Sequence, residues 1–279
     1  MILYHGGDPM KTLRLIKGFS ANTLIAFSKS KNTVWRPWYN NLFIDSGAFA
    51  VNNSGKSISI DEYCQYLFDR KENSDKIVYA SLDVIGNPDE SYKNYKYMVK
   101  SGLYPIPVFH IGEDIKHLYR LAKISNYIGL GGTVGYSNKE RFYFFNKVFS
   151  LFPDPKEIGF HGFGVNDVNM IRSYPWKSVD ARSAHIAARF GSIHTPWGLI
   201  RMNPNMPSTG PATILWQTDP HKKKKIEKYL QDIGVDVEKT MLQNTVGKVE
   251  RCKASIIYFE KHIKPQCPTY FKSQINYFL

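Results

Sequence analysis

Asp45, Asp83 and Asp180 each come directly after a short apolar run, and their carboxyl groups are suited to acid–base and nucleophilic chemistry. Two carboxylates on opposite sides of an anomeric carbon can displace a leaving group with retention, one as nucleophile and one as proton shuttle. The same chemistry applies to the bond between a sugar and a nucleobase, and it needs neither a metal ion nor a redox cofactor. The alternative is that each aspartate caps a turn or the helix that follows it.

Two histidines occupy equivalent positions. His110 follows the apolar residues 106–109, and His161 follows residues 158–160. His110 is a candidate donor to the edge of a base. His161 either stacks on a base or is a structural histidine bonded to backbone.

The apolar runs predict eight strands, because near-continuous apolar runs are typical of strands buried on both faces. The predicted strands span residues 2–4, 24–27, 42–44, 77–82, 106–109, 127–130, 158–160 and 178–179. The spacing of apolar residues predicts intervening helices at 60–70, 91–100, 114–122, 138–149 and 167–172.

Alternating strands and helices predict a parallel α/β architecture, and eight strands is the number in a TIM (β/α)8 barrel. No Gly-x-Gly-x-x-Gly follows the first strand, so a dinucleotide-binding open sheet has no support. In a TIM barrel the chemistry takes place at the C-terminal ends of the strands, where the three aspartates and two histidines would converge. We therefore expect a single barrel domain over residues 1–279.

The pattern changes after Asp180. Residues 182–218 are rich in Pro, Gly, Asn and Ser, which predicts a loop insert after strand 8. Residues 219–264 predict two basic C-terminal helices. The first begins with Asp219 as N-cap and ends before Gly234, and the second spans about residues 237–264.

The chain has 37 basic and 24 acidic residues, a net charge of +13. Such a surplus favours a polyanionic partner such as nucleic acid, the alternative being a charge spread evenly for solubility. Three widely spaced cysteines form neither a disulfide framework nor a four-cysteine zinc site, which predicts a reducing compartment. The sequence has no signal peptide and no run of about 18 apolar residues, so we expect a cytoplasmic location and no membrane partner.

The stretch Asp45-Ser46-Gly47-Ala48-Phe49 resembles the Asp-Ser-Gly-Gly/Ala-Phe/Tyr motif of the tRNA-guanine transglycosylase family. Residues 159–180 (GFHGFGVNDVNMIRSYPWKSVD) resemble that family's seventh strand, Gly-Val-Gly turn and eighth strand. The resemblance covers roughly residues 40–185 in the family's order. It implies a barrel that exchanges guanine in a polynucleotide for a 7-deazaguanine base.

The resemblance also implies roles for single residues. Asp180 matches the family's covalent nucleophile, and Asp45 matches its general acid/base. An aromatic ring stacks on the base, an aspartate reads the guanine edge, and the backbone of two glycines abuts the base. The expected base-binding residues are Phe49, Asp83, His110, Gly131, Gly132 and His161.

The chain departs from the family pattern at three places. His110-Ile111-Gly112 replaces a Gln-Gly pair, and His161 replaces an apolar residue that packs on the base. The zinc subdomain, which helps to dock tRNA, is absent, so no zinc is expected. The stretches at 107–113 and 161–165 look more like the DNA-modifying branch of the family. Many of its members are phage-encoded, which would place the protein in the host cytoplasm, and they insert 7-deazaguanines of the preQ0 type into DNA.

The expected partners are therefore DNA, with tRNA as the alternative, and a 7-deazaguanine base that is a substrate rather than a cofactor. The chain is also a candidate homo-oligomer. Phosphate contacts are expected around the mouth of the acidic pocket. The four-lysine run is equally well explained as a solvated helix face. The candidate phosphate-binding residues are Arg182, Arg189, Arg201, Lys222, Lys223, Lys224 and Lys225.

Three other functions stay open. A tRNA-guanine transglycosylase would perform the same exchange on a different polymer. A base-excising glycosylase or nucleoside hydrolase would release an abasic product without an incoming base. A barrel that only binds nucleic acid would need no carboxylates, and the presence of both Asp45 and Asp180 argues against it.

Overall fold

The computed structural model describes residues 1–6, 20–27, 39–49, 57–70, 75–206, 212–214, 217 and 219–263. The chain divides into two units, where the sequence predicted one domain. Among the described residues, unit 1 comprises 1–4 and 22–180, and unit 2 comprises 5, 6, 20, 21 and 181–263.

All eight strands predicted from the apolar runs are present, and they form one parallel sheet in the order β4-β3-β2-β1-β8-β7-β6-β5. The α/β class is thus confirmed. The strands are β1 (Ile2–Gly6), β2 (Ala21–Ala26), β3 (Tyr39–Asp45), β4 (Ile77–Tyr79), β5 (Val108–His110), β6 (Tyr127–Gly131), β7 (Gly159–Gly162) and β8 (Ser178–Ala181).

Strand β3 shows why the apolar runs form buried strands. Leu42, Phe43 and Ile44 are consecutive and all buried, although successive side chains of a strand point to opposite faces. Phe43 packs with Tyr4 of β1 and Val108 of β5 in one hydrophobic cluster. Each fully buried side chain of this size contributes about 1.5–3 kcal/mol through the hydrophobic effect.

Strands β4 and β5 lie at the two ends of the sheet order. A single parallel bridge joins Ala80, directly after β4, to Ile106, just before β5. Backbone hydrogen bonds from Ser81 N to Ile106 O and from Ile106 N to Tyr79 O accompany it. Within the described residues, the pairing at these two ends of the sheet does not extend beyond this one bridge.

Among the described residues, five helices lie between the strands, as the apolar spacing predicted. Their first turns are capped by side chains that accept hydrogen bonds from backbone N–H groups, and Ser137 and Glu140 form a capping box. The helices are α1 (Ile60–Phe68), α2 (Pro88–Lys100), α3 (Ile115–Ala122), α4 (Asn138–Leu151) and α5 (Val168–Ser173).

Unit 2 contains regular structure where a loop was predicted for residues 182–218. The prediction is wrong for most of this stretch, because Gly191 (φ +77°) and Gly198 (φ +109°) form turns between short elements. Residues 207–211, 215, 216 and 218 lie outside the described residues. The elements are α6 (Ser183–Arg189), β9 (Ser192–Thr195), β10 (Gly198–Arg201) and β11 (Thr213–Ile214), with β10 antiparallel to β9 and parallel to β11.

The C-terminal part of unit 2 is helical, with a break that the sequence did not predict. Helix α7 (Pro220–Asp232) begins after the N-cap Asp219, as expected. The predicted second helix is divided into α8 (Val237–Thr240) and α9 (Thr245–His262), because Asn244 caps a new N-terminus by accepting from Gly247 N. In the described residues, no helix is long and apolar enough to span a membrane.

Arg251 of α9 is fully buried and binds the ends of neighbouring elements in unit 2. Its Nε donates to Ala188 O at 2.9 Å, and its Nη1 donates to Thr240 O at 2.6 Å and Leu242 O at 2.8 Å. Ala188 and Thr240 lie in the last turns of α6 and α8, where backbone carbonyls carry partial negative charge. Burial lowers the pKa of this guanidinium to about 10.

Candidate active site

The strand ends bring the predicted site residues of unit 1 to one edge of the sheet. Asp45 ends β3, His110 ends β5, Gly131 ends β6, and Asp180 lies in β8. Because these strands are parallel, their C-terminal ends lie on the same side of the sheet. The hydrogen bonds and electrostatic interactions among these residues follow from that placement.

Asp83 is held by partners on two other segments. Ser46 Oγ donates to Asp83 Oδ1 at 2.7 Å, and His110 Nε2 lies 2.9 Å from Asp83 Oδ2. On the other side of the imidazole, Nδ1 lies 3.0 Å from Glu113 Oε1, and Glu113 Oε2 accepts from the backbone N of His110 at 3.1 Å. The result is a chain of hydrogen bonds in the order Ser46, Asp83, His110, Glu113.

The two carboxylates change the protonation of His110. Burial opposes the charged imidazolium, but the hydrogen bonds to Asp83 and Glu113 outweigh it and raise the pKa of His110 to about 9. His110 is therefore a cation at neutral pH, with a ring nitrogen directed at each of two carboxylates.

Asp45 has the acidity that proton transfer at neutral pH requires. Burial raises its pKa from 3.8 to about 7, and repulsion by Asp83 and Asp180 adds to the effect, while the backbone N–H groups of Gly47 and Ser46 act in the opposite direction. The side chain remains partly accessible to solvent. A carboxyl group with this pKa can donate and accept protons near pH 7.

Asp180 is buried and fixed through one oxygen. Its Oδ1 accepts from Gly164 N at 2.8 Å and lies 3.5 Å from His161 Nε2. Gly164 adopts φ +63°, a conformation that favours glycine. Both contacts go to Oδ1, and within the described part of the chain Oδ2 has no hydrogen-bond partner.

Gly131 and Gly132, expected to abut a base, lie against the ring of His110. A Cβ at Gly131 would be 3.2 Å from His110 Cδ2, and one at Gly132 would be 3.0 Å from His110 Cβ. Gly132 also has φ +72°. The two glycines thus provide the space in which the imidazole lies.

The two residues expected to stack on a base differ in accessibility. Phe49 is 46% exposed, so its ring is accessible. His161 is fully buried: its ring stacks on Phe43 with centroids 4.2 Å apart, and it meets Phe163 edge-on at 4.4 Å. The structure therefore gives His161 a different placement from the stacking expected of it, because its ring belongs to an aromatic cluster beside Asp180.

The predicted phosphate-binding residues all belong to unit 2. Arg182 is the N-cap of α6, Arg189 lies in its last turn, and Arg201 ends β10. The lysine run forms the first turns of α7. Lys222 and Lys223 are half-buried, and Lys224 and Lys225 are exposed.

Sequence reasoning assigned no role to several residues that contact the site. Ser46 lies inside the motif at 45–49, and Glu113 follows His110 by three residues. Ser178 precedes Asp180 by two residues, which places both side chains on one face of β8. That period-two spacing is the signal that could have identified Ser178. Tyr127, at the start of β6, has its hydroxyl within hydrogen-bond distance of Ser178 Oγ and carried no such signal.

The described residues contain no group of three or more His, Cys, Asp or Glu side chains that could hold a metal ion. Cys64 and Cys252 are buried, and Cys267 lies outside the described residues. No family model matches the chain, and no curated protein matches it.

Proposed function

We propose that the protein is a base-exchanging transglycosylase, a pentosyltransferase that replaces guanine in DNA by a 7-deazaguanine of the preQ0 type. One observation carries the proposal. Asp45, a carboxyl group whose pKa is raised to about 7, is grouped with Asp180, a carboxylate held through one oxygen by Gly164. The resemblance at residues 45–49 and 159–180 assigns the complementary roles of acid/base and nucleophile to these two aspartates.

The reaction has two halves with the same geometry. Asp180 Oδ2 attacks C1′ of the deoxyribose, the bond from C1′ to the base breaks, and the departing guanine takes the proton of Asp45. The incoming base then returns a proton to Asp45 and attacks C1′, and the bond from C1′ to Asp180 breaks. A base inside a duplex cannot reach these carboxylates, so the nucleotide is flipped out or single-stranded.

Base recognition uses the groups next to the two aspartates. Phe49 offers an exposed ring for stacking. Asp83 accepts from the N–H groups of the guanine edge, and the cationic His110, whose ring nitrogens face Asp83 and Glu113, orients that carboxylate. The backbone of Gly131 and Gly132 lines the same space beside His110.

We further propose that the eight-stranded sheet belongs to a TIM-type barrel. The strand order is the cyclic order of a (β/α)8 barrel opened between β4 and β5. The bridge between Ala80 and Ile106 falls at that opening, which supports the assignment. Catalytic residues at the C-terminal strand ends fit this architecture.

The choice of DNA rests on the sequence. The net charge of +13 favours a polyanion, and the arginines and lysines of unit 2 are candidates for phosphate contacts. The absence of a zinc subdomain favours DNA over tRNA within the resemblance.

An exchange assay tests the proposal. The full chain is incubated with single-stranded DNA, duplex DNA or tRNA that carries labelled guanine, with and without preQ0. We expect multiple-turnover release of label from DNA that depends on the incoming base, since without it each protein molecule releases at most one equivalent of guanine. We also expect preQ0 in the nucleosides of that DNA by mass spectrometry. Exchange in tRNA alone would instead indicate the tRNA enzyme. Abasic sites formed without an incoming base would indicate a glycosylase, and binding without release a non-catalytic protein.

A further inference from the structure

A second chain of hydrogen bonds ends at His161, next to Asp180. Tyr127 Oη lies 2.6 Å from Ser178 Oγ, and Ser178 Oγ lies 2.6 Å from His161 Nδ1. The other ring nitrogen of His161, Nε2, lies 3.5 Å from Asp180 Oδ1. His161 and Ser178 are direct register partners on the paired strands β7 and β8, so the sheet itself brings the two side chains together.

The direction of the hydrogen bonds follows from the number of protons. A carboxylate only accepts, so Nε2 faces Asp180 favourably when it carries the proton. The neutral ring then has a lone pair on Nδ1, and the single hydroxyl proton of Ser178 is donated to it. Tyr127 in turn donates to Ser178 Oγ. This arrangement gives Tyr127 Oη, Ser178 Oγ and His161 Nδ1 matching partners, and it leaves Nε2–H facing Asp180 Oδ1 at 3.5 Å.

The surroundings of His161 keep the ring neutral. Burial lowers its pKa below the ordinary value, although Asp180 acts in the opposite direction. The rings that face it are Phe43 on β3, Phe163 after β7 and Tyr4 on β1, with centroid distances of 4.2, 4.4 and 6.1 Å. Burial raises the pKa of Tyr4, and it raises that of Tyr127 to about 12, so both phenols are neutral as well.

We infer that His161 is a positioning residue for Asp180: its Nε2–H, with the tautomer fixed by Ser178 and Tyr127, holds Oδ1 so that Oδ2 faces the sugar. The inference rests on the proposed function. A neutral donor orients the carboxylate without placing a positive charge beside its nucleophilic oxygen. The separation of 3.5 Å is longer than a hydrogen bond, and catalytic contacts of this kind shorten when substrate binds.

Two amide variants separate this role from a packing role. In His161→Gln the side-chain amide reaches the position of Nε2, whereas in His161→Asn it reaches only that of Nδ1. We expect His161→Asn to lower kcat for guanine exchange about 10- to 100-fold, since removing a positioning contact affects the transition state. Its KM for DNA should stay within about twofold of the wild-type value. We expect His161→Gln to restore kcat to within a few-fold of the wild type. Equal losses in both variants, or an unchanged kcat in His161→Asn, would overturn the inference.

A readout without substrate keeps the two proposals separate. Long-range ¹⁵N NMR of the full chain should show His161 as the neutral Nε2–H tautomer from pH 5 to pH 9, with a mixture of tautomers in Ser178→Ala. An Nδ1–H tautomer or an imidazolium in the wild type would overturn the inference. Absence of guanine exchange together with the expected NMR signals would overturn the proposed function and the role toward the sugar. It would leave the direction of the hydrogen bonds in place, because the NMR signals decide that on their own.

Discussion

Oδ1 of Asp180 accepts a hydrogen bond of 2.8 Å from the backbone N–H of Gly164. A backbone donor does not rotate away as a side chain can, so this oxygen is held by the main chain of the turn that follows β7. The glycine conformation at φ +63° directs the N–H toward the carboxylate. Asp180 is thus oriented before any substrate is bound.

Replacing Asp180 by Ala should abolish guanine exchange and the covalent DNA adduct, a loss of at least about 10⁴-fold in kcat, because no other group occupies the place of the nucleophile. DNA affinity should stay within about twofold of the wild type. Exchange kinetics, adduct detection on denaturing gels and a binding titration check this. Asp154→Asn, at an exposed aspartate of the same unit, is the control and should keep full activity.

The raised pKa of Asp45 leads us to expect that base release depends on pH. With its pKa at about 7, Asp45 is protonated below neutrality and loses its proton above it. In a single turnover without incoming base, the rate constant for guanine release should therefore fall about tenfold per pH unit above pH 7. Asp45→Asn should be about 10²- to 10⁴-fold slower and lack this dependence. A wild-type rate that is constant from pH 6 to pH 9 would contradict the role of Asp45.

The raised pKa of His110 leads us to expect that the stability of the fold depends on pH. Its pKa is raised from 6.5 to about 9 in the folded protein, so its stabilising effect is complete below pH 6.5 and is lost as the pH rises to 9. We expect the free energy of unfolding to fall by about 3 kcal/mol over this window. Urea denaturation at several pH values between 7 and 9 measures it, because Asp45 is already half ionised at pH 7 and adds little to the pH dependence above that.

The matched variants are His110→Gln and His117→Gln. His110→Gln should lose the fall in stability with pH and should be less stable than the wild type at pH 6.5, since Asp83 and Glu113 lose their cation. His117→Gln, on the neighbouring helix α3, should keep the wild-type pH dependence. A slope that persists in His110→Gln would show that another group is responsible.

Alanine substitutions at two glycines of one loop distinguish the effect of backbone strain from the effect of contact with His110. Gly132 (φ +72°) and Gly135 (φ +91°) both disfavour alanine, at a cost of about 1–2 kcal/mol. A Cβ at Gly132 would also press on His110, whereas at Gly135 no heavy atom of the described residues lies within 4 Å. We expect Gly132→Ala to raise KM for the incoming base about tenfold and Gly135→Ala to leave it within twofold. Equal KM values would place the base away from Gly132.

We expect substitution of Arg251 to lower the stability of the protein strongly, although Arg251 is not one of the candidate site residues. Arg251→Met would leave the carbonyls of Ala188, Thr240 and Leu242 buried without their donor, at a cost of about 3–5 kcal/mol. Lys261→Met removes one charge from an exposed position of the same helix and should change stability by less than about 0.5 kcal/mol. Urea denaturation followed by circular dichroism compares the two. Similar midpoints would mean that the three hydrogen bonds contribute little.

The strands and the positions of the aspartates could be predicted because both are local properties of the sequence. A run such as Leu42-Phe43-Ile44 is typical of a strand that is buried on both faces, and the polar residue that follows the run lies at the end of the strand. The partners of those aspartates could not be predicted. Whether His110 faces Asp83, 27 residues away, depends on how the side chains of different segments meet.

Two further differences between the predictions and the structure have different physical causes. The ring of His161 is buried because Phe43, which is distant in the sequence, covers one of its faces. No sequence pattern around His161 indicates that contact. Residues 182–218 were predicted as a loop from their composition. Their glycines in fact form the tight turns of short elements such as β9 and β10, which have too few residues for a clear period.

Both oxygens of Asp83 have a partner in the free protein, Ser46 on one and His110 on the other. Each carboxylate oxygen can accept two hydrogen bonds, so a ligand that uses Asp83 either takes the remaining lone pairs or displaces one of these partners. If it brings one donor fewer than it displaces, a buried polar group is left unsatisfied, at about 1–3 kcal/mol. Each 1.4 kcal/mol is a factor of ten in affinity. Selectivity at Asp83 would then depend on the hydrogen bonds that a wrong ligand fails to replace.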